Sequence, residues 1–209
     1  MKKITVLILL IASQILMCSA QDNYEKGMSE ALQLWGKQKP MEAVALFERI
    51  ALVEKENWLP KYYFGLITAT QVLSGANKNQ ATVLLQKAQK QVDLAEGCSP
   101  NNSEICCLQG MINTAWITLD PMNNGQKLSA ATINNYKEAI ELDNNNPRAL
   151  YLLAEFQINM AKMFSQDTKA YYKMIIKSLE KFDNFKAPEA FYPNWGADRA
   201  KQLLNKKHE

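Results

Sequence analysis

The chain predicts an all-α fold, and three observations carry that expectation. From Tyr24 onward apolar residues recur at helical spacing. No stretch alternates apolar and polar residues between hairpin turns, as a half-buried strand would. The helical stretches are separated by short polar turns carrying proline or glycine. At the clearest of these, Tyr136, Ala139, Ile140 and Leu142 stripe the end of one helix, the run 143–146 stops it, and Pro147 starts the next helix, which bears Leu150, Leu153 and Ala154.

Taken in order, Met28, Ala31, Leu32 and Trp35 mark a first helix broken at 36–40, and Val44, Leu46, Phe47 and Ile50 mark a second. Trp58, Leu59 and Pro60 open a third, with Tyr62, Tyr63, Leu66 and Ile67 on its apolar side, and Ser74 and Gly75 close it. Further helices are expected over 79–94, 103–119, 129–143, 147–164 and 167–185, with Ser103 as an N-cap. Residues 120–126 read as a turn-forming insert. A last helix over 194–206 follows Pro188 and Pro193 and would cap the array.

The first twenty residues belong to a different grammar. Lys2 and Lys3 precede an apolar run over 4–17, and Cys18, Ser19 and Ala20 supply small residues before a cleavage point, so 1–20 reads as a secretory signal peptide. The run is shorter than the about 20 apolar residues a membrane span needs. Export to the periplasm or medium with cleavage after Ala20 is the first reading. Lipidation at Cys18 is the alternative, against which the bulky Met17 counts. Without Lys2 and Lys3 the 24 Lys and Arg fall to 22, against 21 Asp and Glu. A near-neutral mature chain gives no electrostatic footprint for nucleic acid, and Lys206 and Lys207 read as a solvated helix end.

Cys98, Cys106 and Cys107 would survive cleavage. Cys98 lies in a turn and the other two on the following helix, so Cys98 could pair with Cys106 or with Cys107; the other reading is three free thiols packed as small side chains. A zinc site lacks ligands, because His208 is the chain's single histidine.

The helices are expected to repeat in pairs. Ala43, Ala81, Thr132 and Ala170 are small residues at intervals of 38, 51 and 38. Each is followed four residues later by Phe47, Leu85, Tyr136 and Met174, and three further on by Ile50, Ala88, Ala139 and Lys177. In the partner helices Ala31, Gly65, Gly110 and Ala154 let two backbones approach closely. On these residues the chain resembles the tetratricopeptide repeat (TPR) family, in a diverged form: the intervals exceed the family's period of about 34, and Lys177 departs from its small or apolar choice. The resemblance covers 24–207. It implies an all-α helical-hairpin repeat solenoid of about four helix pairs plus a C-terminal capping helix.

The resemblance also implies an extended concave surface that takes a protein or peptide partner. Carried over by position, the groove residues are Met28 and Leu32 in the first repeat and Tyr62 and Leu66 in the second. The third supplies Cys107, Met111 and Thr114, and the fourth Arg148, Tyr151, Glu155 and Asn159. Tyr62 and Tyr151 are the leading anchors, the other reading being that they pack between repeats. A clamp for C-terminal carboxylates is not implied, since Met28, Leu32, Tyr62 and Leu66 stand where its lysines and asparagines would be needed. Trp35, Trp58, Trp116 and Trp195 read as core or capping residues. The aromatic stretch 187–195 could dock into the groove as a plug.

A catalytic reading lacks its parts. There is no His-Glu-x-x-His, no Gly-x-Ser-x-Gly, no phosphate loop and no dinucleotide fingerprint. Glu42, Glu48, Glu138 and Glu141 occur with lysines at helical spacing, as on solvated helix faces. The expectation is therefore an exported, non-enzymatic scaffold or adaptor for protein–protein interaction, without cofactor or metal. The alternatives are a self-associating or lipid-anchored envelope subunit and a small-molecule or metal binder on the cysteines.

Overall fold

A computed structural model describes residues 21–76 and 78–205 of the protein. The segment 1–20 expected to be a signal peptide, with Cys18, and Lys206, Lys207 and His208 lie outside the described residues. The fold is all-α. Among the described residues there are nine helices and no strand: α1 over 21–36, α2 Pro40–Val53, α3 Trp58–Leu73, α4 Ala81–Cys98, α5 Ser103–Leu119, α6 Pro121–Leu142, α7 Pro147–Met163, α8 Lys169–Asn184 and α9 Ala197–Asn205.

Local chemistry fixes the helix starts. Asn57, Asn102 and Asn146 each accept a hydrogen bond from the backbone N–H two residues on, at 2.9–3.0 Å, and so cap α3, α5 and α7. The cap of α5 is thus Asn102 and not Ser103, which is already helical and buried. Residues 120–126 are also not a turn. Asp120 accepts from Asn123 N at 3.1 Å, Pro121 fits the first helical position, and α6 runs unbroken through the expected insert.

From α2 onward each helix packs on its successor, and α5 also packs on α3 and on α7, so that these three form an inner row. Those three bury residues around most of their circumference. By contrast α6 buries only the stripe Thr132, Tyr136 and Ala139, and α8 only Tyr172, Ile175 and Ser178, as outer helices do. The expected register in α8 is therefore off by one. Ala170 is exposed, and Tyr171, Ile175 and Ser178 take the places matched by Thr132, Tyr136 and Ala139. Ser178 then supplies the small buried residue that Lys177 could not.

Two glycines set the spacing of the row. A Cβ on Gly65 would stand 3.6 Å from the Ala88 carbonyl oxygen of α4 and 3.1 Å from Leu108 Cδ2 of α5. On Gly110 it would stand 2.3 Å from Tyr136 Cε1, so the Tyr136 ring lies directly on the α5 backbone. No helix among the described residues is long and apolar enough to cross a membrane.

Candidate functional site

The polypeptide after α8 turns back over the inner row. Tyr63 of α3 donates a hydrogen bond to the Phe191 carbonyl at 2.8 Å, and Trp195 Nε1 donates to the Tyr62 hydroxyl at 2.9 Å. Tyr192 sets its ring between Trp58 and Phe185, and Trp195 meets Tyr151 edge-on with centroids 6.2 Å apart. Part of the inner face is thus occupied by the chain's own aromatic segment. Gly196 then takes φ +106°, and a Cβ there would lie 2.8 Å from Tyr151 Cε1, so only glycine lets the chain pass this ring into α9.

Beneath this segment lies a buried polar network. Glu104, in the first turn of α5, accepts from Arg148 Nε at 2.8 Å on each carboxylate oxygen. It also accepts from Asn146 Nδ2 at 2.7 Å and from the Tyr62 hydroxyl at 3.3 Å. Ser103 Oγ joins in, accepting from Asn146 Nδ2 and donating to the Ala139 carbonyl at 2.7 Å. Arg148 Nη2 sits 2.8 Å from Glu104 Oε1 as an ion-pair contact without hydrogen-bond alignment, Nη1 has no acceptor among the described residues, and Phe185 covers the guanidinium at 4.3 Å. Burial works to lower the Arg148 pKa, but the Glu104 charge and hydrogen bonds outweigh it and the net direction is upward. The network ties α3, α5, α7 and the C-terminal segment together.

The rest of the inner face is open as a cavity of about 520 Å³. Three helical faces line it: Leu66, Thr70 and Leu73 of α3; Met111, Thr114 and Thr118 of α5; and Leu152, Glu155 and Asn159 of α7. Aromatic rings close the sides, namely Trp35, Tyr136, Tyr151, Phe156 and Trp195. The threonine hydroxyls donate to carbonyls of their own helices, Leu66, Gly110 and Thr114, at 2.7–2.9 Å, so they need no partner from a ligand. Burial pushes the Tyr136 and Tyr151 phenols above their ordinary range, and both rings are neutral at physiological pH. Charge enters only through Glu155 and Arg199, among the lining residues, and these pair at the mouth. An apolar chamber of this size, with a few polar groups at one edge, falls in the about 300–1,000 Å³ range of small-molecule sites.

Of the expected groove residues, Leu66, Met111, Tyr151, Glu155 and Asn159 are brought together in this cavity, with Thr114. Tyr62 and Arg148 are not: both are fully buried in the network below, because Glu104 and Trp195 cover them. Cys107 and Met28 are core residues. The disulfide is not formed. All three cysteines are free, and Cys98 Sγ faces the Lys55 carbonyl at 3.2 Å. Among the described residues no group of three His, Cys, Asp or Glu is placed to hold a metal ion. Trp35, Phe156, Trp195 and Arg199 were not expected at the site. For Trp195 a signal existed, since it closes the aromatic stretch expected to dock into the groove.

No protein-family model matches the chain, and neither does any curated protein sequence. Among solved structures it is similar to the HusA haemophore from Porphyromonas gingivalis, at 25% identity and a TM-score of 0.76, over 90% of this chain and 94% of that one.

Proposed function

We propose that this chain is an exported, non-enzymatic carrier whose cavity holds a planar aromatic molecule of the haem class. The cavity carries the reading: five aromatic side chains wall an apolar space of about 520 Å³ whose charged groups stand at one edge. A flat ring bearing acid groups matches that distribution, with the ring against Trp, Tyr and Phe faces and the acids at the mouth. The likeness to a haemophore over nearly the whole of both chains supports it. The lining suits the ring more than an iron, since it holds no histidine or cysteine and its phenols resist ionisation.

Within this reading the helix pairs α1/α2, α3/α4, α5/α6 and α7/α8 are TPR-like repeats, with α9 as the cap. The inner row of α3, α5 and α7 supports that assignment. Export rests on the leader at 1–20. Titrating the protein with haemin while following the Soret band tests the function. A saturable shift at one equivalent, weakened by Tyr151→Ala, is expected; a spectrum identical to free haemin would overturn the reading.

A peptide-binding adaptor is the second reading, and one observation favours it. Residues 187–195 dock on the inner face through aromatic anchors and a backbone carbonyl, as a bound peptide would. If a synthetic peptide of that sequence binds the parent protein and haemin does not, the adaptor reading takes precedence.

A further inference from the structure

We infer that Arg199 is the residue that recognises the acid group of the cavity's ligand, and that Glu155 is a stand-in for that acid which the ligand displaces. The inference rests on the haem-class reading and adds to it the point of charge recognition.

Glu155 and Arg199 are the charged side chains of the cavity lining, and they come from different elements, α7 and α9. Glu155 stands one helical turn from both Tyr151 and Asn159, on the face of α7 that lines the cavity. Arg199 Nε donates to Glu155 Oε1 at 2.9 Å, and Nη2 contacts the same oxygen. This is not the two-oxygen fork that an arginine makes with a well-matched carboxylate. Glu155 Oε2 and Arg199 Nη1 have no hydrogen bond among the described residues. The Arg199 side chain is 50% exposed and that of Glu155 17%.

The arginine of the pair is half exposed and screened by water, so the pair contributes little to stability compared with a fully buried one. Its exchange for a ligand carboxylate therefore costs the protein little, while the incoming acid gains the full fork. Apart from Glu155 and Arg199 the lining offers only neutral groups, the Asn159 amide and the Tyr151 hydroxyl among them, so an acid at the edge of the ring has this one cation to meet. Glu155 then acts as a competitor and, once displaced, as a like charge beside the ligand. The site should thus prefer rings with anionic edges, by an interaction that removal of Glu155 strengthens.

The test compares haemin with haemin dimethyl ester, each titrated into the parent, Arg199→Ala and Glu155→Gln. Binding is read by quenching of tryptophan fluorescence, and melting temperature is recorded beside it. Arg199→Ala should weaken haemin about tenfold, the worth of one charge-assisted contact, and leave the ester within about twofold of the parent. Glu155→Gln should tighten haemin and leave the ester unchanged. Equal effects on acid and ester, or no effect of either substitution, would overturn the inference while the haem-class reading stands. If the parent binds neither compound, both fall.

Discussion

Among the described residues there are two Glu–Arg pairs, each joining residues 44 apart in the chain, and their surroundings are opposite. Glu104–Arg148 has no exposure and is held by Asn146, Ser103 and Tyr62. Glu155–Arg199 sits at a cavity mouth, with Arg199 half exposed and Glu155 largely covered. The chemistry is the same and the dielectric is not. In the interior, a charge deprived of its partner has no water to turn to, so the pair behaves as a strut that fixes how α5, α7 and the C-terminal segment meet. At the mouth, water can solvate Arg199 and another carboxylate can take the place of Glu155, so the pair can exchange partners.

The comparison predicts its largest effect in the strut. Glu104→Gln leaves the Arg148 charge buried and uncompensated and should destabilise the protein by about 3–5 kcal/mol in urea unfolding. Adding Arg148→Met should restore most of that loss, because it removes the stranded charge. Next comes the spacing of the inner row. Gly110→Ala drives a methyl into the Tyr136 ring and should cost about 1–3 kcal/mol by overpacking; Tyr136→Leu on the same background should relieve part of it. Arg199→Ala, the same type of residue removed from the pair at the mouth, should change stability by less than about 1 kcal/mol. A double-mutant cycle of comparable coupling at both pairs would break the contrast. The smallest effect is chemical. Burial first, then Glu138 and Glu96, push the Cys106 thiol up to about 12, so it stays protonated at neutral pH and slow to alkylate. Cys98, partly exposed, should react with iodoacetamide first, and Cys106 and Cys107 only on unfolding.

Much of the fold was legible because its signals are local. Pro147 marks a helix start, 36–40 marks a break, Gly75 follows a helix end with φ +77°, and the small residues Gly65 and Gly110 mark close helix contacts. Where the signal was ambiguous the reading slipped. Residues 120–126 hold Pro121, Asn123, Asn124 and Gly125, which suit a turn, yet proline at the first helical position and the Asp120 cap make them a helix start. In α8 the eye follows Ala170, although Ser178 is the small residue the core takes.

The site was half legible. Periodicity tells which face of α7 looks inward, and Tyr151, Glu155 and Asn159 on that face line the cavity. It cannot tell what covers that face. Arg148 looked like a groove cation because its partner Glu104 lies on another helix, and Tyr62 looked like a free anchor because Trp195 approaches from 133 residues away. Arg199 was missed for the same reason: its place at the mouth depends on Gly196 carrying the chain past Tyr151.

The most direct test of the account is to fill the cavity. Met111 lines it, and Met111→Trp would place an indole in the space assigned to the ligand while leaving both Glu–Arg pairs intact. Haemin titrated into this variant should bind at least about tenfold more weakly than into the parent, as expected where a bulky side chain occupies the ligand's volume, with the helical content and melting temperature retained. Haemin binding equal to that of the parent, on an equally folded variant, would put the ligand elsewhere and contradict the account.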